Sequence, residues 1–258
     1  MIELKDIQLL KPFKVLLIGD SCVDKYHYGK CERISPEAPV PIFEHLYTKE
    51  YPGMASNVYK NLQNLGLNCD FKSNDHLIVK ERFVDHKTRQ QFLRVDTGEI
   101  SNPRSAKIED FGDLDQYGVL IISDYDKGYI TYDFAKELTD KFKGLIFVDS
   151  KKKNLSCFEN SLIKINEYEN RDVFKFPVHY ELVVTMGKDG AQWNGINYPI
   201  EDVEVFDVCG AGDSFFSGLI ISYLICLDID ESIIFANHCA RASVQKRGTY
   251  AVNLTDIF

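Results

Sequence analysis

Residues 117–148 read YGVLIISDYDKGYITYDFAKELTDKFKGLIFV. Two short apolar runs, at 119–122 and 145–148, stand on either side of Tyr132–Phe142, in which apolar residues recur at helical spacing. Apolar runs of this length are typical of strands that are covered on both faces of a sheet. The stretch therefore predicts a strand–helix–strand unit of a parallel sheet.

The same alternation continues on both sides of this unit. Further strand-like runs lie at 15–18 and 182–185. Additional helices are predicted at Met54–Leu65, Ser105–Gln116, Ala211–Leu227 and Glu231–Lys246. The third of these is apolar nearly throughout, which indicates that it is buried. A length of 258 residues suits one undivided domain, so we predict an α/β fold, with a mostly parallel sheet flanked by helices, over residues 1–258.

Two stretches depart from the alternation and predict a small separate sheet. Pro39–Tyr47 and Lys80–Val95 look like strands without intervening helices, and Asp85–Thr88 has the composition of a hairpin turn. The natural place for such a sheet is over a crevice, as a lid. We therefore expect lid strands within residues 24–50 and 80–97.

Composition favours a cytoplasmic small-molecule enzyme. The 30 basic and 39 acidic side chains give a net charge of −9, which does not favour general binding to the phosphates of nucleic acid. The longest apolar run, Gly218–Leu227, is too short to span a bilayer, and the N-terminus lacks a signal-peptide pattern. Seven scattered cysteines without a CxxC pair favour free thiols in a reducing cytosol.

The strongest local signal is DVCGAGD, residues 207–213, which follows the strand-like VEVF at 203–206 and precedes the apolar helix. The Gly210-Ala211-Gly212 backbone allows a ligand to approach closely, and the helix N-terminus presents unpaired N–H groups. Together they predict an anion site at which the Asp213 carboxylate takes a proton from a hydroxyl. A glycine-rich turn with an aspartate at a helix start explains the same residues, so both interpretations stay open at this point.

Other nucleotide-binding and catalytic motifs are absent from the sequence. Neither Gly29-Lys30 nor Gly187-Lys188 has a glycine five positions upstream, which excludes a P-loop. Gly19-Asp20-Ser21-Cys22, after the first strand, lacks the GxGxxG pattern of a dinucleotide site. The six histidines form no metal-spaced cluster and are interpreted as surface or packing residues.

In these motifs the chain resembles the ribokinase-like, or PfkB, carbohydrate kinases, and among them the D-glycero-D-manno-heptose 7-phosphate kinases. The shared blocks are Gly19–Gly29, Arg33–Pro41, Pro52–Asn57, Gln90–Asp96, Ser123–Gly128 and Gly210–Asp213. They occur in order between about Val15 and Gly248, and blocks in register are far more specific than any one alone. The resemblance implies a ribokinase-like fold and transfer of a phosphoryl group from ATP, with Mg²⁺, to a sugar. Whether potassium assists stays open.

The resemblance also implies roles for residues around the sugar. Asp24, Gly53 and Asn57 stand where these kinases hold sugar hydroxyls, and Asp213 corresponds to the catalytic base. A carboxylate and an amide suit a diol because each can make paired hydrogen bonds to it.

Metal and nucleotide residues follow from the same resemblance. Asn166-Glu-Tyr-Glu169 matches the NxxE motif that governs Mg²⁺ and phosphate, usually through water. Asn166 and Glu169 are therefore the expected metal-site residues. The expected nucleotide-binding residues are Asn166, Thr185, Gly187, Gly190, Asn237 and Gly248.

The chain departs from the family pattern in four places. The usual paired glycine is Gly53-Met54, which crowds the expected sugar pocket, and Val208 stands in place of a threonine. Only thirteen residues separate Gly66 from Lys80, where a further strand–helix unit is usual, and Asn170–Glu181 is short of an expected helix. We interpret the deletions as thinning the outer sheet without removing the named motifs.

The preferred substrate hypothesis is the anomeric hydroxyl of a heptose 7-phosphate. Its distal phosphate needs cations, and Arg33, Arg94 and Lys127 lie in the blocks most particular to the heptose-phosphate kinases, with Arg94 favoured. Related kinases often pair their lids across a two-fold axis, so we predict a homodimer. The alternatives are a kinase of another sugar and a non-catalytic protein that binds a sugar or nucleotide. The HxGH motif of the nucleotidyltransferase found in bifunctional members does not occur in this sequence.

Overall fold

The computed structural model describes residues 2–258. Its strands are β1 (Val15–Gly19), β2 (Ser21–Lys30), β3 (Glu44–Met54), β4 (Asp70–Ser73), β5 (Val79–Asp85), β6 (Gln91–Thr97), β7 (Val119–Asp124), β8 (Leu145–Ser150), β9 (Ser161–Asn166), β10 (Tyr180–Thr185), β11 (Ala191–Trp193) and β12 (Ile196–Tyr198). Its α-helices are α1 (Ala55–Asn64), α2 (Tyr132–Lys141), α3 (Glu167–Asp172), α4 (Ala211–Cys226), α5 (Ile229–Val244) and α6 (Leu254–Ile257).

The larger sheet has the strand order β12-β11-β10-β9-β8-β7-β1-β4. All neighbours from β4 across to β10 run parallel, and β11 and β12 add an antiparallel edge beside β10. The apolar runs identified in the sequence lie on β1, β7, β8 and β10. The predicted mostly parallel α/β sheet is therefore confirmed.

Strand β1 explains why such runs are apolar without interruption. Val15 and Leu17 enter a core shared with α1, α4 and α5, whereas Leu16 and Ile18 enter a second core shared with α2. Successive side chains of a strand point to opposite faces, so a strand covered on both faces is apolar at every position. Helix α4 is buried over most of its length, as its composition predicted.

The second sheet, which we call the lid, has the strand order β3-β2-β5-β6. Strand β2 pairs antiparallel with β3 and parallel with β5, and β5 and β6 form a hairpin. At the hairpin turn, the Asp85 carboxylate accepts from the backbone N–H groups of Lys87 and Thr88, at 2.9 and 2.6 Å. Strand β3 begins at Glu44 rather than near Pro39, and the sequence patterns did not predict β2 as a separate strand.

Three segments differ from expectation. The helix predicted at Ser105–Gln116 is wrong: the segment holds only short 3₁₀ turns, Ile108–Phe111 and Leu114–Gln116, interrupted at Gly112, whose φ is +65°. VEVF, 203–206, lies outside the strands. The shortened region after Gly66 keeps the edge strand β4 but no helix before β5, and α3 ends at Asp172.

Two further properties bear on the sequence argument. Within residues 2–258, none of the helices combines the length and apolar character needed to cross a membrane. Each of the seven cysteines is a free thiol.

Candidate active site

Polar residues collect at the carboxyl edge of the parallel sheet. Asp20 directly follows β1, Asp124 ends β7, and Asn166 ends β9. The N-terminus of α4 reaches the same edge, because Gly212 lies against Lys164 of β9. The carboxyl ends of parallel strands share one edge, and ligands of α/β proteins bind in the crevice outside it. The crevice between this edge, the start of α4 and the lid is therefore the candidate active site.

Asp213 lies in the first turn of α4 and is buried. Its Oδ1 accepts a hydrogen bond from the Tyr125 hydroxyl at 2.6 Å, and its Oδ2 accepts from Asn57 Nδ2 at 2.8 Å. Burial raises the pKa of Asp213, while the two hydrogen bonds act in the opposite direction. A carboxylate with a raised pKa is better matched to take up a proton near neutral pH.

The glycine-rich turn before Asp213 is tightly constrained. Gly210 has φ +82°, and a Cβ there would lie 2.7 Å from Asn57 Nδ2. A Cβ on Gly212 would lie 3.1 Å from Lys164 Nζ. Close protein neighbours therefore leave no room for a side chain at Gly210 and little at Gly212, and helix α4 begins beside a lysine ammonium. A cation beside a helix N-terminus is compatible with the predicted anion site, which stays a prediction here.

Lys164 was not identified from the sequence. It is buried, and its Nζ pairs with Asp149 Oδ2 at 2.9 Å. The other oxygen, Asp149 Oδ1, is buried without a hydrogen-bond partner among residues 2–258. The available signal was a charged residue inside the apolar strand β9, SLIKIN, because a buried lysine is rare unless it is paired.

The residues expected at the sugar gather on the side of the lid. The Asp24 carboxylate is buried and accepts from Arg82 Nη1 at 2.5 Å and from Thr249 Oγ1 at 3.1 Å. Gly53 is required opposite it, because a Cβ there would collide with the Asp24 carboxylate and lie 2.6 Å from Cys22 Sγ. Asp24 and Gly53 therefore adjoin each other, and Asn57 links this region to Asp213.

Met54 stands where the family usually has a second glycine. Its backbone has φ +59°, a conformation that a residue with a side chain rarely adopts. Its side chain is buried in a small cluster with Cys22 and Ile78, against Tyr125. The methionine thus keeps the backbone shape of a glycine, and its side chain packs in the core at the base of the lid.

The NxxE turn forms the start of α3. Asn166 is the N-cap: its Oδ1 accepts from the backbone N–H of Glu169 at 2.9 Å, and Glu169 Oε2 accepts from the backbone N–H of Asn166 at 2.8 Å. Glu169 Oε1 pairs with the Lys151 ammonium. The two motif residues therefore hold each other in a capping box at the carboxyl edge of the sheet. Within residues 2–258 there is no cluster of three or more His, Cys, Asp and Glu residues that could hold a metal directly.

The expected nucleotide residues fall into two places. Thr185 ends β10, and Gly190, with φ +86°, lies so close to the Tyr198 carbonyl that a Cβ would collide with it. Asn237 Nδ2 donates to the same carbonyl at 2.9 Å and lines a pocket of about 290 Å³. Gly248 lies elsewhere: its N–H donates to Asp207 at 3.1 Å, at the anion-site turn.

The three cations expected at a distal phosphate are not gathered together. Arg33 is exposed, and Lys127 pairs with Glu99 at 2.7 Å. Arg94 makes two hydrogen bonds of 2.7 Å to Asp96 and lies opposite Arg82 in the β5–β6 pairing. Of the three, Arg94 is the one next to the Asp24–Arg82 pair.

A model of the pfkB family of carbohydrate kinases matches residues 164–256, the part that contains Lys164, the NxxE turn and the glycine-rich turn with Asp213. The bifunctional protein HldE of Helicobacter pylori strain Shi470 is 31% identical over 303 residues, covering 95% of this chain and 65% of that protein. Residues 164–256 therefore match the PfkB family of carbohydrate kinases, and the chain is similar to HldE over 95% of its length.

The chain is similar to other proteins over nearly its whole length as well. HldE of Campylobacter jejuni strain RM1221 is 30% identical over 295 residues, covering 95% of this chain and 64% of that protein. The chain thus spans slightly less than two thirds of the length of these curated relatives. Among solved structures, Escherichia coli phosphofructokinase-2 in complex with potassium aligns with a TM-score of 0.74 at 14% identity, over 95% of this chain and 97% of that one.

Arabidopsis thaliana ribokinase complexed with ribose and ATP aligns with a TM-score of 0.67 at 13% identity, over 95% of both chains. At these identities the solved structures establish that this chain has the ribokinase-like fold, as expected from its motifs.

Proposed function

We propose that this chain transfers the γ-phosphoryl group of ATP to a sugar hydroxyl, with Asp213 as general base and the Gly210–Gly212 turn as anion site. The observation that carries the proposal is the position of Asp213. A buried carboxylate lies one residue beyond a turn whose backbone adjoins the Lys164 ammonium. A binding protein gains nothing from a carboxylate buried beside an anion site, whereas a kinase needs both.

In the proposed reaction, the sugar hydroxyl loses its proton to the Asp213 carboxylate as its oxygen attacks the γ-phosphorus. The new bond joins that oxygen to phosphorus, the bond from phosphorus to the bridging oxygen of ADP breaks, and ADP leaves with the electron pair. The N–H groups at the start of α4 and the Lys164 ammonium stabilise negative charge on the transferred group. The raised pKa of Asp213 favours the proton transfer.

The residues at the NxxE turn suit Mg²⁺. Asn166 and Glu169 supply oxygen atoms, and Mg²⁺ prefers oxygen ligands and keeps several waters. Asp149 Oδ1 is buried without a hydrogen-bond partner among residues 2–258, so this oxygen would help to hold the ion. When bound, Mg²⁺ neutralises charge on the ATP phosphates. The proposed adenine site is the pocket of about 290 Å³ beside Asn237.

The proposed acceptor is the anomeric hydroxyl of a heptose 7-phosphate. The similarity to the HldE proteins extends over 95% of this chain, which supports this substrate class. The inner face of the lid adds positive charge around Asp24: Arg82 pairs with it, and Lys80 and Arg94 lie on the neighbouring registers of β5 and β6. A sugar phosphate suits such a surface better than a neutral sugar.

A panel of acceptors tests the proposal and its alternatives. ADP formation is measured with heptose 7-phosphates, other sugar phosphates and the corresponding free sugars. We expect turnover with ATP and Mg²⁺ to be highest for a heptose 7-phosphate. Turnover that is highest for another sugar would replace the substrate assignment. Tight binding of sugar and nucleotide with no ADP formed would favour the non-catalytic alternative.

Arg94→Ala is expected to raise KM for the sugar phosphate by about tenfold or more, the loss typical of a hydrogen bond to a charged group. Arg94 suits the distal phosphate because its planar fork already holds both oxygens of Asp96, and a phosphate presents the same pair of acceptors. KM for ATP is expected to stay almost constant. Steady-state kinetics with each substrate varied in turn measures both constants.

The matched control for this variant is Arg104→Ala, which removes an exposed arginine paired with Asp110 and is expected to leave both constants unchanged. If the wild type is equally active on the phosphorylated and the free sugar, the protein does not recognise the distal phosphate, and the prediction is contradicted.

The chain is expected to form a homodimer through the lid. Leu46, Phe92 and Leu93 of the lid strands are 46%, 38% and 54% exposed, and a sheet with exposed apolar residues is stabilised by a partner. Light scattering at micromolar concentration should give the mass of two chains, and Leu93→Lys should shift it toward one. Leu9→Lys, an exposed leucine outside the lid, is the control. A wild-type monomer would refute the prediction.

A further inference from the structure

Tyr125 donates the shorter of the two hydrogen bonds that Asp213 receives, at 2.6 Å against 2.8 Å from Asn57. Neither the sequence motifs nor the anion site assigns it a role. We propose that Tyr125 is the positioning residue of Asp213: its hydroxyl fixes the carboxylate plane and stabilises the ionised carboxylate. The catalytic consequence rests on the proposed kinase function, whereas the effect on the carboxylate itself does not.

The loop that carries Tyr125 is fastened to the end of β1. The Asp20 carboxylate is fully buried, and its Oδ2 accepts from the backbone N–H groups of Tyr125 and Lys127, at 2.9 and 3.3 Å. Its Oδ1 accepts from the backbone N–H of Tyr129 at 3.3 Å. Three backbone donors on one carboxylate fix the loop conformation, so the Tyr125 ring starts from a defined position.

Two lysine ammonium groups lie near the Tyr125 ring. Lys151 Nζ, beyond the end of β8, lies 5.3 Å from the centroid of the Tyr125 ring, and Lys80 Nζ, on lid strand β5, lies 5.6 Å from it. An ammonium at this distance is attracted to the face of an aromatic ring. Lys151 also pairs with Glu169 of the NxxE turn. Tyr125 therefore connects the base, the NxxE turn and the lid.

The hydroxyl acts as a donor throughout the working pH range. Burial and the neighbouring Asp213 charge raise the pKa of Tyr125 well above its usual value, so the phenol stays protonated. A donor to an ionised carboxylate lowers the pKa of that carboxyl. The charged or titratable groups that face Asp213 are Cys22 of β2, Tyr125 of the loop after β7, Asp149 of β8, Lys151 after it, and Lys164 of β9. Of these groups, Tyr125 is the one with a hydrogen bond to Asp213, and the other donor to that carboxylate, Asn57, is an uncharged amide.

The test is Tyr125→Phe, which removes one oxygen and keeps the aromatic ring near Lys151 and Lys80. We expect the pKa of Asp213 to rise, so the acid limb of kcat/KM for the sugar moves to higher pH. Near neutral pH, kcat should fall by about tenfold, as for a lost hydrogen bond to a charged group, and recover in part at alkaline pH. KM for ATP should not change. Tyr129→Phe is the matched control, because Tyr129 lies in the same loop and its pKa is affected by burial, Asp110 and Arg104 and not by Asp213.

A second readout needs no activity. Carboxyl ¹³C resonances of the aspartates are followed by NMR against pH, with the Asp213 signal assigned by its loss in Asp213→Asn. Its titration midpoint should be higher in Tyr125→Phe and lower when 3-fluorotyrosine, a stronger donor, replaces Tyr125. If Tyr125→Phe does not fold, the titration midpoint in the fluorotyrosine protein still tests the proposal.

Unchanged midpoints in both proteins would overturn the proposal, and so would a loss of kcat that is equal at every pH, because a merely structural role predicts that result. If the wild type phosphorylates no sugar, the proposed function fails, while the NMR midpoints still decide the role of Tyr125.

Discussion

Replacing Asp213 by asparagine is expected to lower kcat by on the order of a hundredfold or more while the affinity for ATP changes little. The amide keeps the shape of the carboxylate, and its oxygen can still accept from Asn57 while its NH₂ donates to the Tyr125 oxygen. It cannot take the proton of the sugar hydroxyl. Steady-state kinetics measures kcat, and calorimetry measures the affinity for ATP. Near-normal turnover would remove Asp213 from the role of base.

The same substitution is expected to raise the melting temperature by a few degrees at neutral pH. Burial raises the pKa of Asp213 in the folded state above its unfolded value, so the folded state binds this proton more tightly. Stability from this group is present at low pH and is lost as the pH rises through the folded-state pKa. The asparagine variant avoids that loss, so its advantage should grow as the pH rises from the ordinary pKa of 3.8 through the raised folded-state pKa of Asp213. Thermal unfolding of both proteins across this range measures it, and an advantage that shrinks with pH would contradict the sign.

Arg82→Met is expected to lower the free energy of unfolding by about 3 kcal/mol or more, because it leaves the Asp24 carboxylate buried without its charged partner. The two side chains of this pair are 9% and 8% exposed, and their nitrogen and oxygen are 2.5 Å apart. The guanidinium also lies 5.1 Å from the centroid of the Tyr26 ring. Urea unfolding measures the change, and KM for the sugar should rise because Asp24 is no longer held in place.

Two further variants show whether the effect of Arg82→Met comes from its pairing with Asp24. Arg82→Met combined with Asp24→Asn should recover part of the lost stability, because no unpaired charge is then buried. Arg104→Met, at an exposed arginine that pairs with Asp110, should change the free energy of unfolding by no more than about 0.5 kcal/mol. A double variant that is less stable by the sum of the single effects would contradict the pairing of Asp24 with Arg82.

The fold was predictable where the sequence pattern reflects burial on both faces. Strands β1, β7, β8 and β10 are visible as apolar runs for that reason. Strand β9 was missed because Lys164 interrupts its run, and β2 was missed because it alternates buried with partly exposed side chains. The helix predicted at Ser105–Gln116 had the right spacing, but Gly112 at φ +65° interrupts it.

The candidate site was predictable only where its residues are neighbours in the chain. The glycine-rich turn and Asp213 form one motif, and the NxxE residues form another. Tyr125 and Asp213 are 88 positions apart, and Asp24 and Arg82 are 58 apart, so the folded chain alone brings each pair together. Spacing carries no information about such contacts, and for that reason neither the Tyr125–Asp213 contact nor the Asp24–Arg82 pair was predicted from the sequence.

The parallel pairing of β2 with β5 constrains the order in which the chain can fold. Between these strands the chain passes through β3, α1 and β4, and the last two are seated on the large sheet. Closing such a loop costs conformational entropy, and each lid hairpin is marginal by itself. The lid can therefore join its two hairpins only after α1 and β4 have docked. The half of the active site that contains Asp24 and Arg82 is then the last to assemble and, under native conditions, the first to open by local unfolding.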